Sequence, residues 1–407
     1  MSEKRKQQNP NKIMNTIKTL EYIRAYPREN VATISYATKI AMPTLYRAIN
    51  TLLEKEIIVQ DGQDTSFAGR RANLYSINSN YAYVLGIILD KRNVSAFVTG
   101  LDGSIQHKTS LALGPDLSKD QIVSRIDKTI NTVIKQRFGN TAGMDNISKI
   151  GILAASSIDV EKGTIEIFGG RECLNGFEIV AYIEKKYRKR VSLMKTSEAE
   201  AMSYVGAIGA RAESQYLYLH LGQGIGACLV LGGNVYSGAH GKAGEIKKAF
   251  SPSYLSARED RNIPYTFLDI CDAIKNYIDG NPKSVLAMTA KQNKLRFKSD
   301  HELLMASLNE ALEKGDSDAL QLIEPTIEHW TLMISVLFQC YDPGVCVIGG
   351  DYTSHIKSIY DLLKKSVKKR NNIELIFANS GMTGDFALSQ VIINDVFSEI
   401  ENAIIAE

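Results

Sequence analysis

The chain has 407 residues, which is too long for one small core and predicts two or three domains. Its hydrophobic fraction (44%) and charged fraction (23%) are ordinary, and since no run of about 18 apolar residues occurs, we expect no membrane span. The polar N-terminus, MSEKRKQQNPNK, does not resemble a secretory signal, and five scattered cysteines without a C-x-x-C pair indicate a reduced, cytoplasmic protein.

Charge is unevenly distributed along the sequence. The whole chain carries +3, whereas residues 1–80 contain 12 Lys and Arg against 7 Asp and Glu, a balance of +5. A basic segment joined to a mildly acidic body indicates nucleic-acid contact at the N-terminal end. The alternative is that this imbalance is ordinary variation.

The first eighty residues predict three helices followed by a hairpin. Apolar residues at helical spacing predict a helix over residues 12–26, which Pro27 ends. Residues 31–41 predict a second helix, and Pro43 suits the first turn of a third. Two β-rich runs, Ile57–Gln60 and Asn73–Ile77, then flank a polar turn. This order predicts a winged helix-turn-helix domain over residues 1–80.

In such a domain the third helix enters the major groove of DNA and the wing reaches the flanking backbone. Its apolar residues share one face, so the polar residues between them point outward. We therefore expect base or phosphate contacts from the third helix and from two arginines of the wing. These candidates are Thr44, Tyr46, Arg47, Asn50, Arg70 and Arg71. A dimerisation or regulatory winged helix without DNA contact is the alternative.

The rest of the chain alternates strands and long helices twice over, which predicts an α/β protein with two similar lobes, residues 81–205 and 206–407. A return of the C-terminal helix to the first lobe is left open. Glycines at two strand ends could hold a phosphate or nucleoside on backbone N–H groups, or could serve ordinary turns. They are Gly222, Gly224, Gly226, Gly349 and Gly350.

Together these segments resemble the ROK family (repressor, open reading frame, kinase), in its NagC/XylR-like regulator branch. The most specific similarity is LGQGIGACLVLGGNVYSGAHGKAGEI, which resembles the family's glycine-rich G-T-G-I-G…G-E segment. GRRANLYSIN resembles the family's wing, DPGVCVIGGDY its adenosine-side motif and SGMTGDFAL its terminal helix. The resemblance implies an actin-like (hexokinase-type) ATPase fold, with sugar and nucleotide in the cleft between the lobes.

Two departures from the family pattern bear on catalysis. The family's phosphate loop is a D-x-G-G-T hairpin, whereas this chain has Leu89-Asp90-Lys91-Arg92-Asn93 there, without glycines. The family's catalytic aspartate, in E-N-D-A-N-A, aligns with Glu198 of KTSEAEAM, which is one methylene longer. The resemblance therefore implies a degenerate kinase with no catalytic residue.

Two further departures concern zinc and the sugar. Lys248 stands at the position of the family's zinc-binding histidine, with Lys247 before it, and the cysteine cluster is missing, so we expect no metal and no cofactor. The family's sugar-contacting asparagine falls near Arg171, which could pair with an acidic ligand group or be a surface arginine. The expected sugar-binding residues are Arg171, Glu198, Glu245 and Lys247.

Three functions follow from these residues. The favoured one is a DNA-binding repressor of carbohydrate metabolism, controlled by a sugar or sugar phosphate bound in a non-catalytic cleft. The alternatives are an active sugar kinase with a regulatory winged helix, and a constitutive DNA-binding protein whose cleft is empty or filled by its own side chains. Operator DNA and a homodimer or homotetramer are the expected partners.

Overall fold

The computed structural model describes residues 10–64, 72–90, 92–154, 156–167, 171–208, 215–222, 224–239, 241–247, 249–251, 263–297, 299–350, 356–378 and 384–406. The chain divides into two compact units, Met1–Met194 with Leu388–Glu407, and Lys195–Ala387. The predicted boundary of a separate domain at residue 80 stays a prediction. No helix of the described ranges has both the length and the apolar composition that crossing a bilayer requires.

The first unit begins with three helices and three short strands. These are α1 (Pro10–Ala25), β1 (Glu29–Asn30), α2 (Val31–Thr38), α3 (Met42–Glu54), β2 (Ile58–Gln63) and β3 (Asn73–Ile77). The Asn30 side chain caps α2 by accepting from the backbone N–H of Thr33 at 3.0 Å, and Pro43 lies in the first turn of α3. Strands β2 and β3 pair antiparallel, and β1 adds to β3.

A five-stranded sheet forms the body of the first unit, in the order β10-β7-β4-β5-β6. Strand β4 pairs antiparallel with β5 and parallel with β7, and its buried apolar run packs with α4. Helix α4 starts at a capping box formed by Ser118 and Gln121. The elements are β4 (Tyr83–Leu89), β5 (Asn93–Gly100), β6 (Ile105–Ala112), α4 (Lys119–Phe138), β7 (Ile147–Ala154), β8 (Ser157–Asp159), β9 (Thr164–Ile167), α5 (Ile179–Tyr187) and β10 (Val191–Lys195), with 3-10 turns at Thr141–Asn146 and Glu172–Leu174.

The second unit is built on another five-stranded sheet, in the order β13-β12-β11-β14-β15. Helix α6 packs against β11 and β12, and the remaining helices bury a large apolar cluster that includes the chain's single tryptophan, Trp330. The elements are α6 (Thr196–Ile208), β11 (Tyr216–Leu221), β12 (Ile225–Leu231), β13 (Asn234–Val235), α7 (Phe267–Gly280), α8 (Val285–Asn293), α9 (Asp300–Glu313), α10 (Ser317–Tyr341), β14 (Val345–Gly349), α11 (Lys357–Asn371) and β15 (Leu375–Phe377).

The last helix, α12 (Gly384–Ala406), belongs to the first unit from Leu388 onward. Gly151 of β7 leaves no room for a Cβ because Ile392 packs against it. Farther along α12, Asn394 accepts a hydrogen bond from Arg24 of α1, whose guanidinium also lies 4.1 Å from the ring centre of Phe397. The first and last helices of the described chain therefore pack against each other.

Candidate functional site

A buried ammonium group joins two segments of the second unit. Lys195 ends β10, and its side chain is only 9% exposed. Its Nζ lies 2.8 Å from the carbonyl oxygen of Gly241, 3.2 Å from Oε1 of Glu245 and 4.0 Å from Oε1 of Glu198. Because an ammonium loses its hydration on burial, these oxygens replace the water it would otherwise bind.

Glu198 lies in the first turn of α6 and bends back toward the start of its own helix. Its Oε2 accepts from the backbone N–H of Lys195 at 3.4 Å, which is a long N3-type capping contact. Burial raises the pKa of the Glu198 carboxyl, the nearby Lys195 ammonium opposes that rise, and Glu245 adds to it. The extra methylene relative to an aspartate gives this side chain its reach to the helix start.

Glu245 lies in a turn that is fixed on both sides. The backbone N–H of Ala227 donates to the carbonyl of Gly244 at 3.0 Å, and Ile246 is buried in the core of the unit. Gly244 has a φ of +81°, and a Cβ there would overlap the carbonyl oxygen of Ala227, so only glycine fits. The Glu245 side chain itself is 41% exposed, and its Oε1 is the oxygen near Lys195.

The other two predicted sugar contacts are placed differently. Arg171 belongs to the first unit and is 6% exposed; its guanidinium donates to the carbonyls of Leu113 (2.7 Å) and Gly114 (2.9 Å). Its charge therefore fixes a loop of its own unit. Lys247 is exposed, and its backbone carbonyl accepts from the Tyr265 hydroxyl at 3.5 Å. The structure brings only Glu198 and Glu245 together, around Lys195.

The glycines at the end of β11 make a tight turn. The backbone N–H of Gly222 donates to the carbonyl of Gly224 at 3.0 Å, whereas a Cβ on Gly224 would meet nothing within 4 Å. A Cβ on Gly226 would lie 3.2 Å from the Ser197 hydroxyl, so β12 approaches the start of α6 closely there. Packing thus accounts for Gly226, whereas the space beside Gly224 is open.

The space beside the second glycine pair, at the end of β14, is occupied by residues of the neighbouring strand β11. A Cβ on Gly349 would overlap the Tyr218 hydroxyl, and one on Gly350 would overlap the carbonyl of Leu221. Gly350 also has a φ of +119°, which side chains rarely adopt. Both glycines are required by the approach of β11, whether or not a nucleotide binds.

In the hairpin between β4 and β5, the only acidic side chain is used by the turn itself. Oδ1 of Asp90 accepts from the backbone N–H groups of Arg92 and Asn93, both at 2.7 Å. An aspartate that closes its own turn satisfies two backbone donors and leaves them unavailable to a phosphate. Lys91 lies outside the described residues.

On α3 the predicted DNA contacts form one face. Leu45 and Ile49 are fully buried, whereas Tyr46, Arg47 and Asn50 are exposed. Thr44 is half-buried at the start of the helix. Arg70 and Arg71 lie outside the described residues, as does Lys248.

Comparison with known proteins identifies the core. The model of the ROK family matches residues 84–248, which include β4, the Asp90 hairpin, Lys195, Glu198 and Glu245. This chain contains a ROK-family domain.

Curated relatives of this chain carry both regulator and kinase names. The xylose repressor of Bacillus spizizenii is 24% identical over 53% of this chain and 54% of its own length, so the chain spans about half the length of the curated relatives it matches first. The xylose repressor of Staphylococcus xylosus is 22% identical over 82% of this chain and 81% of its own. An N-acetyl-D-glucosamine kinase of Aliivibrio salmonicida is 25% identical over 54% of this chain and 70% of its own.

Solved structures show the same fold. A ROK family transcriptional regulator, a homologue of the Escherichia coli MLC protein, superposes with a TM-score of 0.67 at 16% identity, covering 98% of this chain and 99% of its own. A ROK family glucokinase from Streptomyces griseus, in complex with glucose and AMPPNP, gives 0.57 at 15% identity over 77% of this chain and 99% of its own. The predicted ROK, actin-like kinase-type fold is confirmed.

Two buried groups of the ROK core were missed in the sequence. Lys195 is one, and the signal that could have found it is a lysine ending a strand three residues before a helix-start glutamate. The other is Glu200, whose Oε2 lies 2.7 Å from Nδ1 of His220 and accepts from the Tyr218 hydroxyl at 3.0 Å. Burial and Glu200 raise the pKa of Tyr218 well above its usual value, so it remains a donor. This cluster ties α6, which carries Glu198, to β11.

Proposed function

We propose that this protein is a DNA-binding transcriptional repressor of carbohydrate metabolism, whose ROK domain binds a sugar without phosphorylating it. The observation that carries the proposal is the contrast between two acids of the ROK domain. Asp90 is used within its hairpin, whereas Glu245 is held rigidly with a solvent-facing carboxylate. The repressor names of several relatives support the same direction.

The DNA-binding half of the proposal rests on the first eighty residues. Three helices and an antiparallel hairpin, net basic in sequence, have the order of a winged helix-turn-helix, and the exposed face of α3 offers Tyr46, Arg47 and Asn50 to the major groove. Repressors of this type bind paired half-sites, so we propose a homodimer or homotetramer as the DNA-binding form.

The effector half rests on the charges around Lys195. Two carboxylates meet the Lys195 ammonium in this site, whereas of the two cations predicted from the sequence, Arg171 donates to carbonyls of the first unit and Lys247 is exposed. Carboxylates accept hydrogen bonds from hydroxyl groups and repel phosphate. We therefore propose a neutral sugar, rather than a sugar phosphate, as the effector. A sugar that binds one conformation of the protein more tightly shifts its DNA affinity.

The proposal is tested by fluorescence anisotropy on a labelled fragment of the protein's own promoter region, with unrelated DNA of equal length as reference. Arg47→Ala is expected to weaken specific binding by roughly 5- to 150-fold, since a side chain that reads a base is worth about 1–3 kcal/mol. Lys18→Ala, which removes an exposed cation from α1, is the matched control. Equal affinity for both DNA fragments, or equal effects of the two substitutions, would refute sequence-specific recognition through α3.

A sugar kinase is the second candidate, and one observation favours it. Glu198 is a buried carboxyl with a raised pKa, as a general base requires, and some relatives are named kinases. A coupled ADP-release assay with D-xylose, D-glucose and N-acetyl-D-glucosamine separates the candidates. The repressor proposal predicts no sugar-dependent ADP release above that of Glu198→Ala; turnover that Glu198→Ala abolishes would establish the kinase.

A further inference from the structure

We propose that Lys195 is a positioning residue, an ammonium tether that holds the turn containing Glu245 in its ligand-binding conformation. This inference rests on the proposed sugar-binding function of that turn. None of the family motifs named above includes this lysine as a functional residue. Lys195 and Gly241, whose carbonyl its ammonium contacts, are 46 residues apart in sequence.

The geometry of the ammonium shows what it connects. Lys195 lies at the junction of β10 and α6, while Gly241 and Glu245 lie at the two ends of the turn that follows β13. The Glu198 oxygen, at 4.0 Å, is beyond hydrogen-bond distance and contributes only its charge. The two short contacts of the ammonium are therefore both to the turn.

Backbone hydrogen bonds also hold the turn, among them one that the N–H of Ala243 donates to the carbonyl of Ser237 at 3.1 Å. On one side the Gly244 carbonyl accepts from Ala227 of β12, and Ile246 is buried. At Gly241, which has a φ of +64° and open space around its α-carbon, the Lys195 ammonium is the side-chain contact that the structure shows. Residues 241–245 are thus held by backbone hydrogen bonds, and the Lys195 ammonium adds a side-chain attachment at Gly241 and Glu245.

Because the Lys195 side chain is buried, its contacts with the turn matter more than those of an exposed lysine would. An exposed ion pair contributes little, but a lysine whose side chain is 9% exposed needs its oxygen partners to offset lost hydration. The chain therefore stabilises the turn conformation that brings the Gly241 carbonyl and the Glu245 carboxylate to Nζ. The same contact leaves the second oxygen of the half-exposed carboxylate free for a sugar hydroxyl.

Hydrogen exchange measured by mass spectrometry on the full chain tests the tether without any ligand. Lys195→Met and Lys195→Ala are expected to speed exchange of the amides in residues 238–246 by about tenfold or more, while the peptides of α7 and α10 keep wild-type rates. Lys195→Arg keeps the charge and the donors and is expected to preserve protection. Lys275→Ala, which removes an exposed lysine from α7, is the matched control.

Chemical rescue separates a tether from a general structural role. n-Propylammonium replaces the atoms that Lys195→Ala removes, and it is expected to restore protection of residues 238–246. Tetramethylammonium has the same charge but no N–H donor and is expected to have no effect. Unchanged exchange in the turn, loss of protection throughout the second unit, or equal rescue by both cations would overturn the proposal.

Sugar binding then tests the consequence for the site. With D-xylose and N-acetyl-D-glucosamine as probes in calorimetry, Lys195→Ala is expected to weaken the binding that the wild type shows by about tenfold, and n-propylammonium to recover it. A loosened turn with unchanged sugar affinity would overturn the positioning role. If the wild type binds neither sugar, the proposed effector class fails, while the exchange data still decide whether Lys195 holds the turn.

Discussion

Two turns of the ROK domain carry an acidic side chain, Asp90 in one and Glu245 in the other, and the two carboxylates make different contacts. In the first unit, the Asp90 carboxylate accepts hydrogen bonds from two backbone N–H groups of its own hairpin. In the second unit, Glu245 is held by contacts on both sides while its carboxylate stays 41% exposed. A turn that satisfies its own donors is closed to phosphate, and a rigid turn that exposes an acceptor is open to hydroxyl groups. This difference is the basis of our proposal that the core recognises sugar and does not transfer phosphate.

The largest expected effect is on the free energy of unfolding, and it comes from the turn that contains Gly244 and Glu245. Gly244→Ala forces a side chain into a left-handed conformation and against the Ala227 carbonyl, so we expect a loss of about 3 kcal/mol or more in the free energy of unfolding of the second unit. Urea unfolding followed by the fluorescence of Trp330, which is buried in that unit, measures it. Gly224→Ala, with open space at its α-carbon, is the control and should cost under about 1 kcal/mol. Equal losses would show that the turn is not held as described.

The next effect is on sugar affinity, and it comes from Glu245. Glu245→Gln keeps the shape of the side chain but removes its charge, so we expect sugar affinity to fall by about tenfold, because hydrogen bonds to charged groups are worth about 1.5–3 kcal/mol. Calorimetric titration with the sugar that binds the wild type measures the change. Asp90→Asn should leave that affinity unaltered, and a loss at Asp90 that equals the loss at Glu245 would contradict the comparison.

A substitution at Asp90 is expected to change the stability of the first unit and to leave sugar affinity unchanged. Asp90→Ala removes the acceptor of two backbone donors, and we expect a loss of about 1 kcal/mol in the free energy of unfolding of the first unit. Far-ultraviolet circular dichroism during urea titration measures this loss, with the exposed Asp116→Ala as control. An increase in nucleotide affinity, or no change in stability, would show that the carboxylate does not close the hairpin.

The smallest effect is a pH dependence from Glu198. Burial raises its pKa in the folded chain above the usual 4.5, so the folded state binds the proton more tightly than the unfolded state does. The contribution of this group to stability is therefore greatest at low pH and declines as pH rises from about 4.5 through the folded pKa. Against the permanently neutral Glu198→Gln, the wild type should lose stability over that interval, as read by unfolding at a series of pH values. The opposite slope would show that the Lys195 ammonium outweighs burial in setting the pKa of Glu198.

Local patterns were sufficient to predict most of the elements that carry these groups. The apolar residues that share one face predicted α3, and the two β-rich runs at 57–60 and 73–77 predicted the β2–β3 hairpin, because both depend on neighbours close in sequence. The glycine-rich segment was also sufficient to predict the family.

Long-range partners could not be predicted in the same way. The contact of Lys195 with Gly241 and the contact of Arg171 with Leu113 and Gly114 join segments about 46 and 57 residues apart. Neither contact follows from a periodic sequence pattern, because each depends on where a loop lies in the folded chain. The ligand-binding role of Arg171 stays a prediction, and the sequence does not show that its guanidinium donates to two carbonyls of its own unit.

The direct test of the central claim is the DNA affinity of the full chain as a function of sugar concentration, measured by anisotropy on its own promoter fragment without nucleotide or Mg²⁺. If the ROK domain senses sugar through the Glu245 turn and its phosphate side is closed, a neutral sugar that binds should shift the dissociation constant for DNA by about tenfold, a coupling of about 1.4 kcal/mol, and Glu245→Gln should abolish the shift. A DNA affinity that no binding sugar alters, or that changes only when ATP and Mg²⁺ are added, would contradict the account.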